Sequence, residues 1–407
     1  MANLIEQIAV LLLVAALVAI IARRLHMPYA TGLVVTGIAL TALPNAPRVE
    51  MTRELIFTAL LPPLIFEAAL FLPWRLLRRE VLLVLLLATL GLVLAAAVVA
   101  LGLQWLAGWP PIAAAVFGVL ISATDPVSVI AMFRDVGVKG RLRVLVEAES
   151  LFNDGTAAVL FALLLAAFLG GEPTALGALS ELAVTIVGSP LCGAIVALPL
   201  TYLSAKSADH LIVITFTTVA AYASFLLAEH FHASGILATL TAGLIVAQRG
   251  ASGMIPAKGR EAVEAFWEVV AFLANSLVFL LFGMQEVERN FSSIASDIAI
   301  AVALVTLGRA VTIYPLSALF GASRWRIPAA HQHVLFWGGL RGALALGLAL
   351  GLPAGFPLRE RIITVAFAVV TFSLLVQGPT IGPLLTRLEL HRGPASSGAA
   401  QPKKTGP

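Results

Sequence analysis

Apolar residues run almost unbroken for some twenty positions at a time, thirteen times along the chain, at 3–22, 28–44, 54–73, 80–107, 111–133, 143–170, 176–204, 209–229, 232–248, 262–285, 295–320, 328–352 and 359–386. A helix rising 1.5 Å per residue needs about 20 such residues to cross a hydrocarbon core of about 30 Å. The pattern therefore predicts an all-α polytopic membrane protein with 13 transmembrane helices. The first run lacks a basic leader and a small-residue cleavage site and ends in Arg23-Arg24, so it reads as a helix rather than a signal peptide. After about Leu390 the sequence turns to Gly, Pro, Ser, Ala and Lys, the composition of a disordered tail. The expected division is one membrane domain over 1–390 and a cytoplasmic tail over 391–407.

Composition agrees and excludes several functions. Hydrophobic residues make up 60% and charged residues 12%, against about 25% charged in soluble domains. The mean hydropathy is +0.99. One cysteine, Cys192, lies in an apolar run and gives neither a disulfide framework nor a thiolate metal site. With no P-loop, no dinucleotide fingerprint and no haem-attachment motif, ATP-driven and redox chemistry have no support. The chain reads as no enzyme and needs no cofactor. Its net charge of +4 comes from loop arginines, so the expected partners are membrane lipid and not nucleic acid.

Charge placement sets an orientation. With the N-terminus outside, inner loops and tail carry 19 Lys and Arg residues and outer loops carry 5, leaving Arg309 and Arg341 within spans. Such a bias is the positive-inside rule, and it predicts an outer N-terminus and a cytoplasmic C-terminus in the plasma membrane (the inner membrane, if bacterial).

Against this background two polar stretches stand out: Ser122-Ala123-Thr124-Asp125-Pro126 and Glu149-Ser150-Leu151-Phe152-Asn153-Asp154-Gly155. A charge at mid-bilayer costs roughly 2.5–3.5 kcal/mol on insertion scales, so it marks function by default. Pro126 has no N–H and disfavours helix at the residue before it, so the fifth segment should break there and free the Ser122 carbonyl. Freed carbonyls beside an acid suggest a cation site. Thr124 and Asp125 stand where N-caps of a second half-helix would stand. At the positive end of that half-helix, Asp125 is expected to stay ionised and help build the site. Asp154, which follows Leu151-Phe152 and precedes Ala157-Ala158-Val159-Leu160, is the group expected to exchange a proton for a cation. Ser150 offers an oxygen. Asn153 reads equally as an ordinary helix cap or interhelical bond and as a tie to Asp125. Glu149 calls for a buried partner, which Arg309 or Arg341 would supply. Glu67, after Leu61-Pro62-Pro63, is a third carboxylate that lines either the ion path or a polar helix contact.

A weak internal repeat links Ala30-Thr31-Gly32-Leu33 to Ala233-Ser234-Gly235-Ile236, seven segments later, and the break at Asp125-Pro126 to Gly338-Gly339-Leu340-Arg341-Gly342. An odd displacement inverts the second copy, as in secondary transporters with a midplane site.

Taken together, Ala123-Thr124-Asp125-Pro126, Glu149 through Asp154, Leu61-Pro62-Pro63 with Glu67, Ser234 through Ala238, Phe266-Trp267-Glu268 with Asn275, and Gly339-Leu340-Arg341-Gly342 resemble the cation/proton antiporter 1 family, in its NhaP-type branch of sodium/proton exchangers. The resemblance covers the chain up to its tail. It implies two inverted repeats with crossed, unwound helices 5 and 12, and a homodimer. Helices 1–3 and 7–10 would form the dimerisation part, and helices 4–6 and 11–13 a core moving like an elevator. It implies a cation surrounded by Asp125, Asp154, Thr124, Ser150 and Glu67, a pair between Glu149 and Arg309, and organising roles for Asn153, Arg341 and Pro126. An asparagine–aspartate pair resembles the electroneutral branch. The expected function is antiport of Na+ (with Li+ or K+ as alternatives) against H+. A K+/H+ antiporter of the same fold is the alternative, and a cation-conducting channel subunit stands behind it.

Overall fold

The computed structural model describes residues 2–25, 27–43, 49, 51–170, 184–207, 209–286 and 291–390. Among these all regular structure is helical. The helices are α1 (Ala2–Leu25), α2 (Tyr29–Leu40), α3 (Leu55–Phe71), α4 (Trp74–Leu106), α5 (Pro111–Ser122), α6 (Val127–Val136), α7 (Arg141–Phe168) and α8 (Val184–Ser204). They continue with α9 (His210–His230), α10 (Gly235–Ala251), α11 (Ala257–Glu286), α12 (Ala295–Leu319), α13 (Ala329–Trp337), α14 (Ala343–Leu350) and α15 (Arg359–Arg387). Eight of them, α1, α4, α7, α8, α9, α11, α12 and α15, are long and apolar enough to cross a membrane. The start of the seventh predicted segment, 176–183, and the tail, 391–407, lie outside the described residues.

α4 begins at Trp74, six residues before the apolar run predicted at 80. Its first turns carry Arg75, Arg78, Arg79 and Glu80, which hydropathy reads as loop, but Leu77 between them is buried. The helix thus projects past its apolar body, with basic side chains on its outer faces.

α2 lies along α11, α3 along α10, and α10 along α8 and α9; α4 lies along α5 and α12, and α5 along α7. Close approach needs small residues, as it does between helices in lipid generally. A Cβ at Gly283 of α11 would collide with the Val34 carbonyl of α2. Tyr29 fixes the same pair, its hydroxyl 2.6 Å from Ser276 and its ring stacked on Phe272.

Prolines open the helices, and side chains close them again. Pro63 cannot donate to the Ala59 carbonyl, and the ladder widens into a π turn over Leu55–Leu60. The Tyr222 hydroxyl donates to that carbonyl at 3.1 Å. At the helix ends, Arg141 pairs with Glu80 and donates to the Trp325 and Arg326 carbonyls. Asp297 takes Trp109 Nε1 at 2.6 Å and Arg361 at 2.6 Å.

Candidate functional site

Two interrupted helices meet at their breaks. The chain unwinds between α5 and α6 at residues 123–126, and between α13 and α14 at 338–342. The Asp125 N–H donates to the Leu340 carbonyl at 2.7 Å, joining one extended stretch to the other. Each break leaves two helix ends facing the interior, with orphan carbonyls at one and orphan N–H groups at the other.

The carbonyl ends are taken by arginines. Arg341 Nη1 donates to the Ser122 carbonyl at 2.5 Å and to that of Ala123 at 3.0 Å. This corrects the expectation that the freed carbonyls would serve a transported cation, since a resident guanidinium already sits on them. A fixed positive charge at the negative end of α5 offsets its dipole. Arg309 does the same for α13, donating from Nε at 3.0 Å and Nη2 at 2.8 Å to the Leu335 carbonyl. Arg309 also forks onto Glu149, with Nη1 on Oε1 and Nη2 on Oε2 at 2.8 Å. Of the two candidate partners for Glu149, the structure selects Arg309. Sequence reasoning missed Ser373, whose hydroxyl accepts the Arg341 N–H at 3.1 Å. Its only signal was a polar residue in an apolar run.

The amino ends are served by one carboxylate. Asp125 Oδ1 accepts the Val127 N–H at 2.9 Å, capping α6. Its other oxygen lies against Gly342, the residue before α14, where a Cβ would collide with it. Asp125 thus stands at the start of both second halves, the poles where negative charge is favourable.

Behind Asp125 a buried amide and two hydroxyls hold the break to α7. Asn153 donates from Nδ2 to Thr124 Oγ1 at 2.8 Å and accepts the Thr124 N–H at 3.3 Å. It ties to Thr124, not to Asp125 as one sequence reading had it, because Asp125 is turned toward Val127. Ser150 Oγ lies 2.9 Å from Thr124 Oγ1. That places Ser150 one layer behind the residues that line the cavity, as a support for Thr124.

A cavity of about 80 Å³ opens in front of this framework. It is lined by Thr124, Asp125, Pro126 and Asp154, by Glu67 of α3 with Leu61, Leu64 and Ile65, and by Asn275 of α11. Among the described residues neither Asp125 nor Asp154 enters an ion pair, and Asp154 makes no hydrogen bond. The arginines that would have neutralised them are committed to carbonyls and to Glu149. Two carboxylates facing a small cavity without a basic partner can bind a cation or a proton there. No cluster of His, Cys, Asp and Glu with the arrangement of a resident metal site occurs among the described residues.

Comparisons with known proteins bear on the family and the fold. The family model described as "Sodium/hydrogen exchanger, transmembrane" matches residues 10–387. The chain is 38% identical over 368 residues to the Na+/H+ antiporter ApNhaP of Aphanothece halophytica, covering 90% of this chain and 70% of that one. It is 33% identical over 398 residues to the Na+/H+ antiporter NhaH of Halobacillus aidingensis, covering 94% and 98%. Its fold superposes on the sodium proton antiporter MjNhaP1 of Methanocaldococcus jannaschii with a TM-score of 0.77 at 19% identity, over 95% of this chain and 99% of that one.

Proposed function

We propose that this chain, which belongs to the sodium/hydrogen exchanger family, exchanges Na+ for H+ across the plasma membrane by letting the two ions compete for Asp154. The observation that carries the reading is the small cavity that Asp125 and Asp154 both line, with no arginine among the described residues paired to either. A charge held there without a counter-charge is costly; a bound Na+ or a bound H+ removes that cost, so each ion excludes the other. The Thr124 hydroxyl and Glu67 complete the surroundings of the ion, with Ser150 and Asn153 holding Thr124 in place. Pro126 fixes its helix break from the cavity's edge, and Glu149, Arg309 and Arg341, which do not line the cavity, hold the breaks from behind.

The same reading takes the chain as 13 crossings in two inverted repeats, with the N-terminus outside and the C-terminus cytoplasmic. A homodimer would form through the part built from α1–α3 and α8–α11. A core of α4–α7 and α12–α15 would carry the site across as an elevator. Support comes from the packing, which runs mainly within each set. It also comes from a cleft of about 280 Å³ between α7 and α14 on one side and α3 and α10 on the other, lined by Arg53, Glu229 and Ser234.

Exchange should be electroneutral. With Asn153 neutral and Asp125 ionised throughout, Asp154 alone toggles, and Na+ or H+ on its carboxylate leaves the same total charge. In proteoliposomes a Na+ gradient should drive proton movement at a rate indifferent to the membrane potential. A two-to-one cycle would instead feel about 2.3 kcal/mol per charge per 100 mV, and a strong voltage dependence would falsify the one-to-one reading. Dissipation of the Na+ gradient without obligatory proton movement would identify a channel instead. K+- and Li+-driven proton movement in the same vesicles sets the cation preference.

Gly342→Ala offers a local check. Its new Cβ meets the Asp125 carboxylate, so exchange should fall while the protein still purifies as a folded species. Unchanged exchange would mean that the placement of Asp125 is not critical.

A further inference from the structure

Asn275 has no part in the framework described above, yet it lines the same cavity as the two aspartates. It sits in a stretch of α11 whose other residues are apolar apart from Ser276: Phe272, Leu273, Ala274, Leu277, Val278 and Phe279 follow one another around it. Ser276 is occupied with Tyr29 and with the Phe272 carbonyl. Asn275 is half-buried, and among the described residues its carboxamide has no hydrogen-bond partner. Lining the cavity and bonded to no neighbouring side chain or backbone group, the amide is free to take a ligand there.

We propose that Asn275 is a specificity-determining residue, whose side-chain oxygen completes the shell of the transported cation from α11, in the cavity that Asp125 and Asp154 also line. The inference rests on the cavity being the cation site, as proposed above. Small hard cations favour oxygen ligands, amide carbonyls among them. An amide oxygen attracts the ion through its dipole but carries no proton to release, so it adds affinity without a second titrating group. That keeps the exchange one for one. Glu67 also lines the cavity but is ionisable, whereas Asn275 supplies a neutral oxygen. A fixed oxygen at this position also limits the size of the site, and therefore discriminates among Li+, Na+ and K+.

The test compares Asn275→Leu, which keeps the volume and removes the oxygen, with Asn275→Gln, which keeps an oxygen on a longer arm. Both are reconstituted in liposomes beside the wild type. Loss of one charge-assisted oxygen contact predicts an apparent Na+ constant raised about tenfold in Asn275→Leu. Its maximal rate should be retained and its order of preference among Li+, Na+ and K+ changed, with melting in detergent as in the wild type. Asn275→Gln should recover part of the affinity with an altered preference. A wild-type Na+ constant and preference in Asn275→Leu would overturn the proposal. So would a lowered melting temperature with a uniform fall in rate for all three cations, which would assign Asn275 to helix packing. If the wild type itself showed no cation-driven proton movement, the proposed function would fail first, and the two failures are distinguishable.

Discussion

Asp154→Asn is expected to reduce Na+-driven proton movement to background while leaving a folded, membrane-inserted protein. The side chain lines the cavity and, among the described residues, lacks both an ion-pair partner and a hydrogen bond, so the fold does not depend on its charge. An amide of the same shape neither binds nor releases a proton, and it offers the cation a dipole where a full charge stood. Both halves of the exchange fail at once. Removing an unpaired charge from a buried site also relieves its desolvation, so the melting temperature in detergent should hold or rise. Asp125→Asn should lose exchange too, yet keep its helix break, because an amide oxygen still accepts the Val127 N–H that Asp125 takes at 2.9 Å. Near-normal exchange in Asp154→Asn would remove Asp154 from the site. Loss of activity together with loss of the folded protein would make it structural.

Much of this was legible along the chain because single residues dictate it. Runs of about twenty apolar residues can only be helices in hydrocarbon, where every backbone group must bond within its own segment. Pro126 marks the first break through its missing N–H, whereas the second, at Gly338-Gly339-Leu340-Arg341-Gly342, was legible only through the internal repeat and the family resemblance. What the chain does not show is which distant side chain answers each local need. The Ser122 carbonyl freed by Pro126 could have waited for an ion, but Arg341, 219 residues on, takes it. Glu149 had two arginines to choose from, and the packing of α12 beside α13 decides for Arg309, 160 residues away. Asn153 binds Thr124 rather than Asp125 because the capping of α6 turns Asp125 away. The early start of α4 at Trp74 was hidden by arginines that hydropathy counts as loop. In each case the local demand is written in sequence, and the partner is set by tertiary packing.

The arginine that answers Glu149 also closes a helix break, and this makes the pair's failure asymmetric. Glu149 is 1% exposed and Arg309 7%, so removing either partner leaves a charge buried alone, typically at a cost of about 3–5 kcal/mol. Glu149→Gln leaves Arg309 with the Leu335 carbonyl still in its grip. Arg309→Ala leaves the Glu149 charge unpaired and orphans that carbonyl as well, a further loss of about 1–3 kcal/mol for an unsatisfied buried group. Arg309→Ala should therefore lower the melting temperature more than Glu149→Gln. The double variant should recover the part that belongs to the isolated carboxylate but not the part that belongs to the open break. The apparent Na+ constant should change little in whichever variants remain active, because neither side chain lines the cavity. If Glu149→Gln instead melts like the wild type and raises the Na+ constant many-fold, Glu149 is a cation ligand, and Arg309 serves to hold it in reach of the ion.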